Sequence, residues 1–471
     1  MRVLLSSPPF QYFNTSHWLL PNFPAITLAQ LAGGLDPRHE VRILDNSHHK
    51  LRGHVLWPTI DDFKPGLIGF TCMYAPDAPV LWDIAQRIKE RWPHIKIIGG
   101  GAVATHVAEL FVQNGFDAIL KNEGDFAIQE IVDAIEQGGD DWSHIDGLLW
   151  TDRHGELIDN APRELIRDLD SVPFPRRDLL GTYPALSYEG ARGTSLETTR
   201  GCPYTCTFCT RPTFLGSYRH FSNERVLADM ERVRREGYLE IIFTDDMFAA
   251  NVDKAKEMCE EMIRRQFGFR LGAAMRADTV CKHPELIRLM ARAGFILVHV
   301  GFETYRQKHM DVLGKNISAE KNIQASGILR DNGIFVLASH IFGAKGQSPE
   351  MAWEMVRHGI ENTSIFRMGI LTPHVGSELY QRMVEDGTLL KDDLKSQSYF
   401  EYLIDDGRDP EAMQRAFVMT LLAYYFHPRI LNATLRDPSP VRRKVLRNAY
   451  KGNVFFVLGR TLDRMGISLA R

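Results

Sequence analysis

The run Thr199-Arg200-Gly201-Cys202-Pro203-Tyr204-Thr205-Cys206-Thr207-Phe208-Cys209 holds three of the six cysteines in this 471-residue chain. Their spacing is C-x3-C-x2-C, with no fourth cysteine nearby. Cubane iron–sulfur clusters are usually held by four thiolates, so three on one loop leave one iron without a protein ligand. An open iron can bind a small molecule, much as a catalytic zinc keeps an open position. Zinc sites instead favour paired C-x2-C halves with four ligands, whereas Cys72, Cys259 and Cys281 are scattered singly. A zinc module borrowing His220 is the weaker alternative. Disulfides do not fit, because no signal peptide and no secreted cysteine framework are legible. Cys72 and Cys259 lie in apolar segments and read as small core residues.

Composition sets the outer limits. The length suits two or three domains, and 44% hydrophobic content supports real cores. A net charge of −3 with 24% charged residues gives no overall pull toward nucleic acid. No apolar run approaches a membrane span, and Met1-Arg2-Val3-Leu4-Leu5 enters a strand pattern directly, so a soluble, cytoplasmic chain is expected.

Residues 1–140 alternate short apolar runs, at 3–6, 41–44, 67–71, 95–98 and 118–120, with amphipathic stretches such as 79–92. In the latter, Leu81, Ile84, Ala85 and Ile88 recur on one face. The alternation predicts a parallel, doubly wound, Rossmann-like sheet, with ligands at the carboxyl ends of the strands. There stand Ser7-Pro8-Pro9, Asp45, Thr71, Met73, Gly99-Gly100-Gly101 and Asn122-Glu123-Gly124-Asp125. Three glycines after a strand admit close approach of a large flat ligand, or simply make a tight turn. They are not a G-x-G-x-x-G dinucleotide fingerprint.

Residues 141–192, rich in Pro, Asp and Arg, read as a linker with a small hairpin around 148–150 and 156–158. From 193 to 390 the alternation resumes, with strands at 194–198, 240–243, 270–274, 296–301, 335–341 and 365–371 and helices at 223–235, 252–265, 284–293, 319–331 and 349–361. Barrel enzymes carry catalytic groups at the carboxyl ends of such strands. That rule selects Arg200 with the cysteines, Thr244-Asp245-Asp246, Met275-Arg276-Ala277-Asp278, Glu303, His340 and Thr372. Each has a plain alternative: Thr244 or Asp246 as a helix cap, Glu303 paired with Arg306. Residues 391–471 read as a C-terminal helical domain that caps the barrel and shapes a pocket.

The cysteine spacing, with the aromatic Phe208 before the third thiol, resembles that of the radical S-adenosylmethionine (radical SAM) enzymes. The Pro-Pro, triple-glycine and Asn-Glu-Gly-Asp turns of the first domain resemble the cobalamin-binding domain found ahead of many radical SAM cores. The resemblance implies a partial (β/α)6 barrel, a [4Fe–4S] cluster on Cys202, Cys206 and Cys209, S-adenosylmethionine, cobalamin, and an external one-electron reductant of the flavodoxin or ferredoxin type. It places Asp245 or Asp246 at the methionine amine, Arg276 at the carboxylate, Glu303 at the ribose and Phe208 against the adenine, roles open to permutation among the first four. It places Ser7, Pro8, Asp45, Thr71, Met73, Gly99, Gly100, Gly101 and Glu123 around the corrin. One departure stands out: Asp45-Asn46-Ser47-His48-His49 lacks the Asp-x-His-x-x-Gly motif that supplies a lower axial histidine. Cobalamin is therefore expected base-off, with water or nothing below, and His48 and His49 read as solvated loop residues.

The leading expectation is an enzyme that makes a 5′-deoxyadenosyl radical and methylates an unactivated carbon of a small-molecule substrate. A non-methylating oxidative cyclase, hydroxylase or ring rearrangement, like the anaerobic magnesium-protoporphyrin monomethyl ester cyclase, is the alternative. A non-catalytic iron–sulfur or corrinoid redox protein is the remote one. With no cysteine beyond Cys281, a second cluster toward the C-terminus is excluded.

Overall fold

The computed structural model describes residues 1–8, 25–45, 55–139, 141–181 and 191–451. Its first sheet comprises β1 (Arg2–Ser6), β2 (Glu40–Leu44), β3 (Leu67–Thr71), β4 (Lys96–Gly100), β5 (Ala118–Leu120), β6 (Leu148–Thr151) and β7 (Leu157–Asp159). Their spatial order is β2-β1-β3-β4-β5-β6-β7. β1 to β5 pair in parallel, and Val3, Leu5, Leu67, Ile68 and Ile97 are fully buried because helices cover both faces. Cys72 lies in this core, and Cys259 in that of the barrel.

The strands of residues 1–140 are parallel as expected, and β6 and β7, the hairpin read within the linker, join them antiparallel. The hairpin is present, but it extends the sheet edge. Trp150 is buried there and its indole N–H donates to Asn160 Oδ1 at 3.1 Å. An antiparallel pair needs only a short turn, so no intervening helical pattern marks the addition in the sequence. The following stretch is tied down as well. Leu169 and Val172 enter the barrel core, and Arg177 forms a buried ion pair with Asp229 at 2.7 and 2.8 Å while donating to the Ser195 carbonyl at 3.2 Å.

The second sheet contains β8 (Arg192–Leu196), β11 (Tyr238–Phe243), β12 (Arg270–Met275), β13 (Phe295–Glu303), β14 (Phe335–Phe342) and β15 (Ile365–Ile370). All six are parallel, in the order β15-β14-β13-β12-β11-β8, an open half-barrel wound by intervening helices. Between β8 and β11, β9 (Thr199–Arg200) and β10 (Arg219–His220) pair antiparallel and brace the loop holding the three cysteines. Helices Pro410–Tyr425 and Pro428–Arg436 close the far side, with Phe417, Leu421 and Tyr424 packed against Phe366 and Met355. Pro9, His48 and His49 fall outside the described residues, as does the helical pattern beyond 451. Among those described, no helix is long and apolar enough to cross a membrane.

Removing Asp229 would strand the buried guanidinium of Arg177, a loss that costs about 3–5 kcal/mol. Asp229→Ala is therefore expected to lower the denaturant midpoint sharply and Asp229→Asn less so, as checked by equilibrium unfolding.

Candidate active site

The cysteine loop owes its shape to Gly201, whose φ of +76° would put a Cβ 2.5 Å from the Ser217 carbonyl oxygen. Cys202, Cys206 and Cys209 are free thiols, each half-buried. Burial pushes all three upward, Cys209 to about 11. Nearby cations oppose that shift: Arg276 at Cys202, Lys315 and Arg276 at Cys206, and Arg211 at Cys209. Three thiols ringed by three cations suit a metal cluster, since binding releases the thiol protons and the cations balance the charge left behind.

The rim residues chosen from sequence gather around this loop, most with partners of their own. Asp245 is buried and accepts from the Thr198 and Thr199 backbone N–H groups at 2.6 and 2.8 Å and from Thr198 Oγ1 at 2.5 Å. It therefore ties the end of β8 to the end of β11. Asp246 pairs with Arg211 at 2.9 Å beside Cys209. Arg276 stacks on Tyr204 at 3.8 Å and donates to Asp278 at 3.0 Å and to the Lys315 carbonyl at 2.9 Å. Glu303 takes a left-handed φ of +53° and pairs with Lys315 at 2.5 Å rather than with Arg306, which pairs with Glu354. Phe208 packs into the apolar cluster under the C-terminal helices. Lys315 was missed by sequence reasoning: it lies on a loop after a short helix, with no spacing that links it to Cys206 or Glu303.

A cavity of about 790 Å³ opens between the carboxyl ends of the first sheet and the mouth of the half-barrel. Ser7, Pro8, Asp45, Thr71, Met73, Gly99, Gly100, Gly101 and Glu123 all line it, and Asp245, Asp246, Arg211 and His299 line its barrel side. Asp45 is buried, accepting from Ser7 Oγ at 3.3 Å and the Ala25 N–H at 2.6 Å. The Ala102 N–H reaches Met73 Sδ at 3.5 Å. Two of the three glycines have structural reasons. A Cβ on Gly99 would sit 2.4 Å from Ile119, and one on Gly101, at φ +99°, 2.7 Å from the Cys72 carbonyl oxygen. Gly100 alone has only ordinary contact there, at 3.5 Å. A deep space floored by bare backbone fits a bulky flat ligand.

Glu123 lines the cavity and also has protein partners of its own. Its carboxylate accepts from Arg200 at 2.9 Å, from Arg219 at 2.8 and 2.9 Å and from the Ile166 N–H at 2.8 Å. Arg200 also grips Asp125 through two bonds, at 2.8 and 2.9 Å, and Glu197 at 3.0 Å. The residue two positions before Cys202 is thus bolted to the turn after β5.

The residues on the two walls of this cavity match two family descriptions. The B12 binding domain matches residues 21–132, and the Radical SAM superfamily matches residues 196–359. The chain belongs to the B12-binding radical SAM enzymes. The cofactors of this family are a [4Fe–4S] cluster, S-adenosylmethionine and cobalamin. Relatives include an uncharacterized methyltransferase, PH0819, of Pyrococcus horikoshii, 26% identical over 96% of this chain and 98% of that protein. The anaerobic magnesium-protoporphyrin IX monomethyl ester cyclase of Rubrivivax gelatinosus is also 26% identical, over 81% of this chain and 70% of its own length. The fold is shared with the radical S-adenosylmethionine methyltransferase TsrM from Kitasatospora setae, solved with cobalamin and a [4Fe–4S] cluster bound. That likeness has a TM-score of 0.69 at 18% identity and covers 96% of this chain and 99% of the other.

Asp245 yields a pH prediction. Burial outweighs its three hydrogen bonds and pushes it up to about 7. Between about pH 4 and pH 7 the folded chain holds a proton here that the unfolded chain has released. The group's stabilisation is thus complete below about pH 4 and lost as the pH rises through 7. Asp245→Asn, which keeps the backbone bonds without the titration, should flatten this slope. Denaturant midpoints at about pH 5 and about pH 8 check it, wild type losing more than the variant.

Proposed function

We propose that this enzyme transfers a methyl group to an unactivated carbon of a small-molecule substrate. The observation that carries the proposal is the single cavity: the corrin-binding rim of the first sheet and the rim beside the cysteine loop face the same space. When bound, the cluster with S-adenosylmethionine supplies a 5′-deoxyadenosyl radical and cobalamin supplies a methyl group. The protein's part is to hold and orient. Cys202, Cys206 and Cys209 would hold the cluster. Asp246 and Glu303 offer acceptors for the ammonium and ribose of S-adenosylmethionine, and Arg276 and Lys315 offset the charge of the cysteine loop. The glycine-marked floor at Gly100 would receive the flat face of the corrin. The first domain spans residues 1–140 and the barrel 193–390, as read from the sequence, with the hairpin of β6 and β7 added to the first. A flavodoxin- or ferredoxin-type protein supplies the electron.

The relationship to the magnesium-protoporphyrin cyclase supports a second reading, in which the substrate is oxidised rather than methylated. One experiment separates the two. The chain is reconstituted anaerobically with iron, sulfide and hydroxocobalamin, reduced, and given methyl-deuterated S-adenosylmethionine in oxygen-18 water with a small-molecule cell extract as substrate pool. The expected outcome is 5′-deoxyadenosine together with a product carrying the trideuteromethyl group. Oxygen-18 incorporation without methyl label would replace methylation with oxidation. No 5′-deoxyadenosine at all would mark a redox carrier. Cys206→Ala is expected to bring 5′-deoxyadenosine formation to background, with loss of cluster absorbance.

A further inference from the structure

The strands of the half-barrel alternate cleanly. Val298, Val300, Ala338, His340, Phe366 and Met368 are buried against the helices, while His299, Ser339 and Arg367 occupy the intervening, half-buried positions that face the barrel interior. Ser339 and Arg367 are direct register partners on β14 and β15. His299 Nε2 and Ser339 Oγ share a hydrogen bond of 2.6 Å. Three polar side chains on adjacent strands thus make one patch on an otherwise apolar wall.

Arg367 is the exception among the arginines of this region. Arg200, Arg211, Arg219 and Arg276 each have a carboxylate partner. The Arg367 guanidinium makes no hydrogen bond and no ion pair with any described residue. The phenols of Tyr74, Tyr399 and Tyr425 stand near it, and burial keeps those of Tyr399 and Tyr425 in their neutral form. A half-buried cation with no counter-charge of its own is open to an anionic partner. The surroundings suit an incoming anion. His299 is held neutral, pushed down to about 3 by burial and by Arg367 itself, so it adds a hydrogen-bonding nitrogen and no competing charge. Tyr399 takes a left-handed φ of +64° and packs over Gly369, where a Cβ would come within 3.4 Å of it. Strain of this kind gathers at binding sites. Tyr74 lines both the large cavity, which His299 also lines, and a small neighbouring one lined by Tyr399 and His374. Of the patch, His299 lines the large cavity, with Ser339 bonded to it from the next strand.

We infer that Arg367, with Ser339 and His299, docks an acidic group of the substrate, a carboxylate or a phosphate, on the barrel wall. The planar guanidinium fork matches either oxyanion through paired N–H bonds, and Ser339 supplies a hydroxyl donor. That the anion belongs to a substrate rests on the methyl transfer proposed above.

The test is a calorimetric titration of the reconstituted full-length chain with inorganic phosphate and, separately, with benzoate. One of the two is expected to saturate a single site, which names the acid as phosphate or carboxylate. Arg367→Gln should weaken that binding at least about tenfold, with Arg367→Lys intermediate and Ser339→Ala weakened less. Circular dichroism checks folding, and if Arg367→Gln does not fold, the Lys and Ala variants carry the comparison. The inference is overturned if neither anion binds the wild type, or if the folded variants bind as tightly as it does. It is also overturned if methionine or S-adenosylhomocysteine displaces the anion, since the site then serves the co-substrate. Measuring 5′-deoxyadenosine on the same wild-type preparation keeps the two proposals apart. Its absence with anion binding intact defeats the radical reading alone, and its presence without anion binding defeats this inference alone.

Discussion

The arrangement turns on one buried arginine. Arg200 stands on the short strand that leads into the cysteine loop, and its guanidinium is shared among Glu197, Glu123 and Asp125. Two of those carboxylates belong to the turn after β5, so the loop that would hold a cluster and the rim that would hold a corrin are fixed by the same charge. Arg219, from the strand paired with β9, grips Glu123 as well and takes the Ile166 carbonyl at 2.7 Å. Buried ion pairs of this kind contribute little net stability, but their geometry is demanding and a displaced partner is costly. Their consequence is registration: the two walls of the cavity cannot shift relative to one another without leaving carboxylates unpaired.

Much of this was legible from residue order. Thiol spacing marked the loop, and the rule that function lies at the carboxyl ends of parallel strands selected Asp246, Arg276 and Glu303 as well as the cavity-lining residues of the first sheet. What the sequence could not provide were the pairings. Asp245 and Asp246 are adjacent and chemically identical, and only the fold turns one toward the Thr198 and Thr199 backbone and the other toward Arg211. Glu123 lies in a turn that looks ligand-facing, yet its partners are 43 to 96 residues away in the chain. Lys315 reaches the cysteine loop only because the chain folds back after β13. Arg367 escaped for another reason. It sits inside a strand, where attention to strand ends overlooks it, although a lone arginine within Ile365-Phe366-Arg367-Met368-Gly369-Ile370 was a signal available in the pattern.

The triple glycine shows how one motif can divide its duties. Gly99 is required by Ile119 and Phe116 beneath it, and Gly101 by a backbone conformation that other residues resist. Gly100 is left to face the cavity. A tight turn and an open floor, which the sequence presented as alternatives, are both present within three consecutive residues.

The β6–β7 hairpin carries a consequence of a different kind. An open parallel sheet exposes a row of unpaired backbone groups at its margin, a template on which a second chain can grow. Here the margin beyond β5 is occupied by an antiparallel pair whose outermost strand is three residues long and ends in Asp159, itself paired with Lys121. A short, charged outer strand gives a stranger little to pair with. That margin doubles as protection against edge-to-edge aggregation.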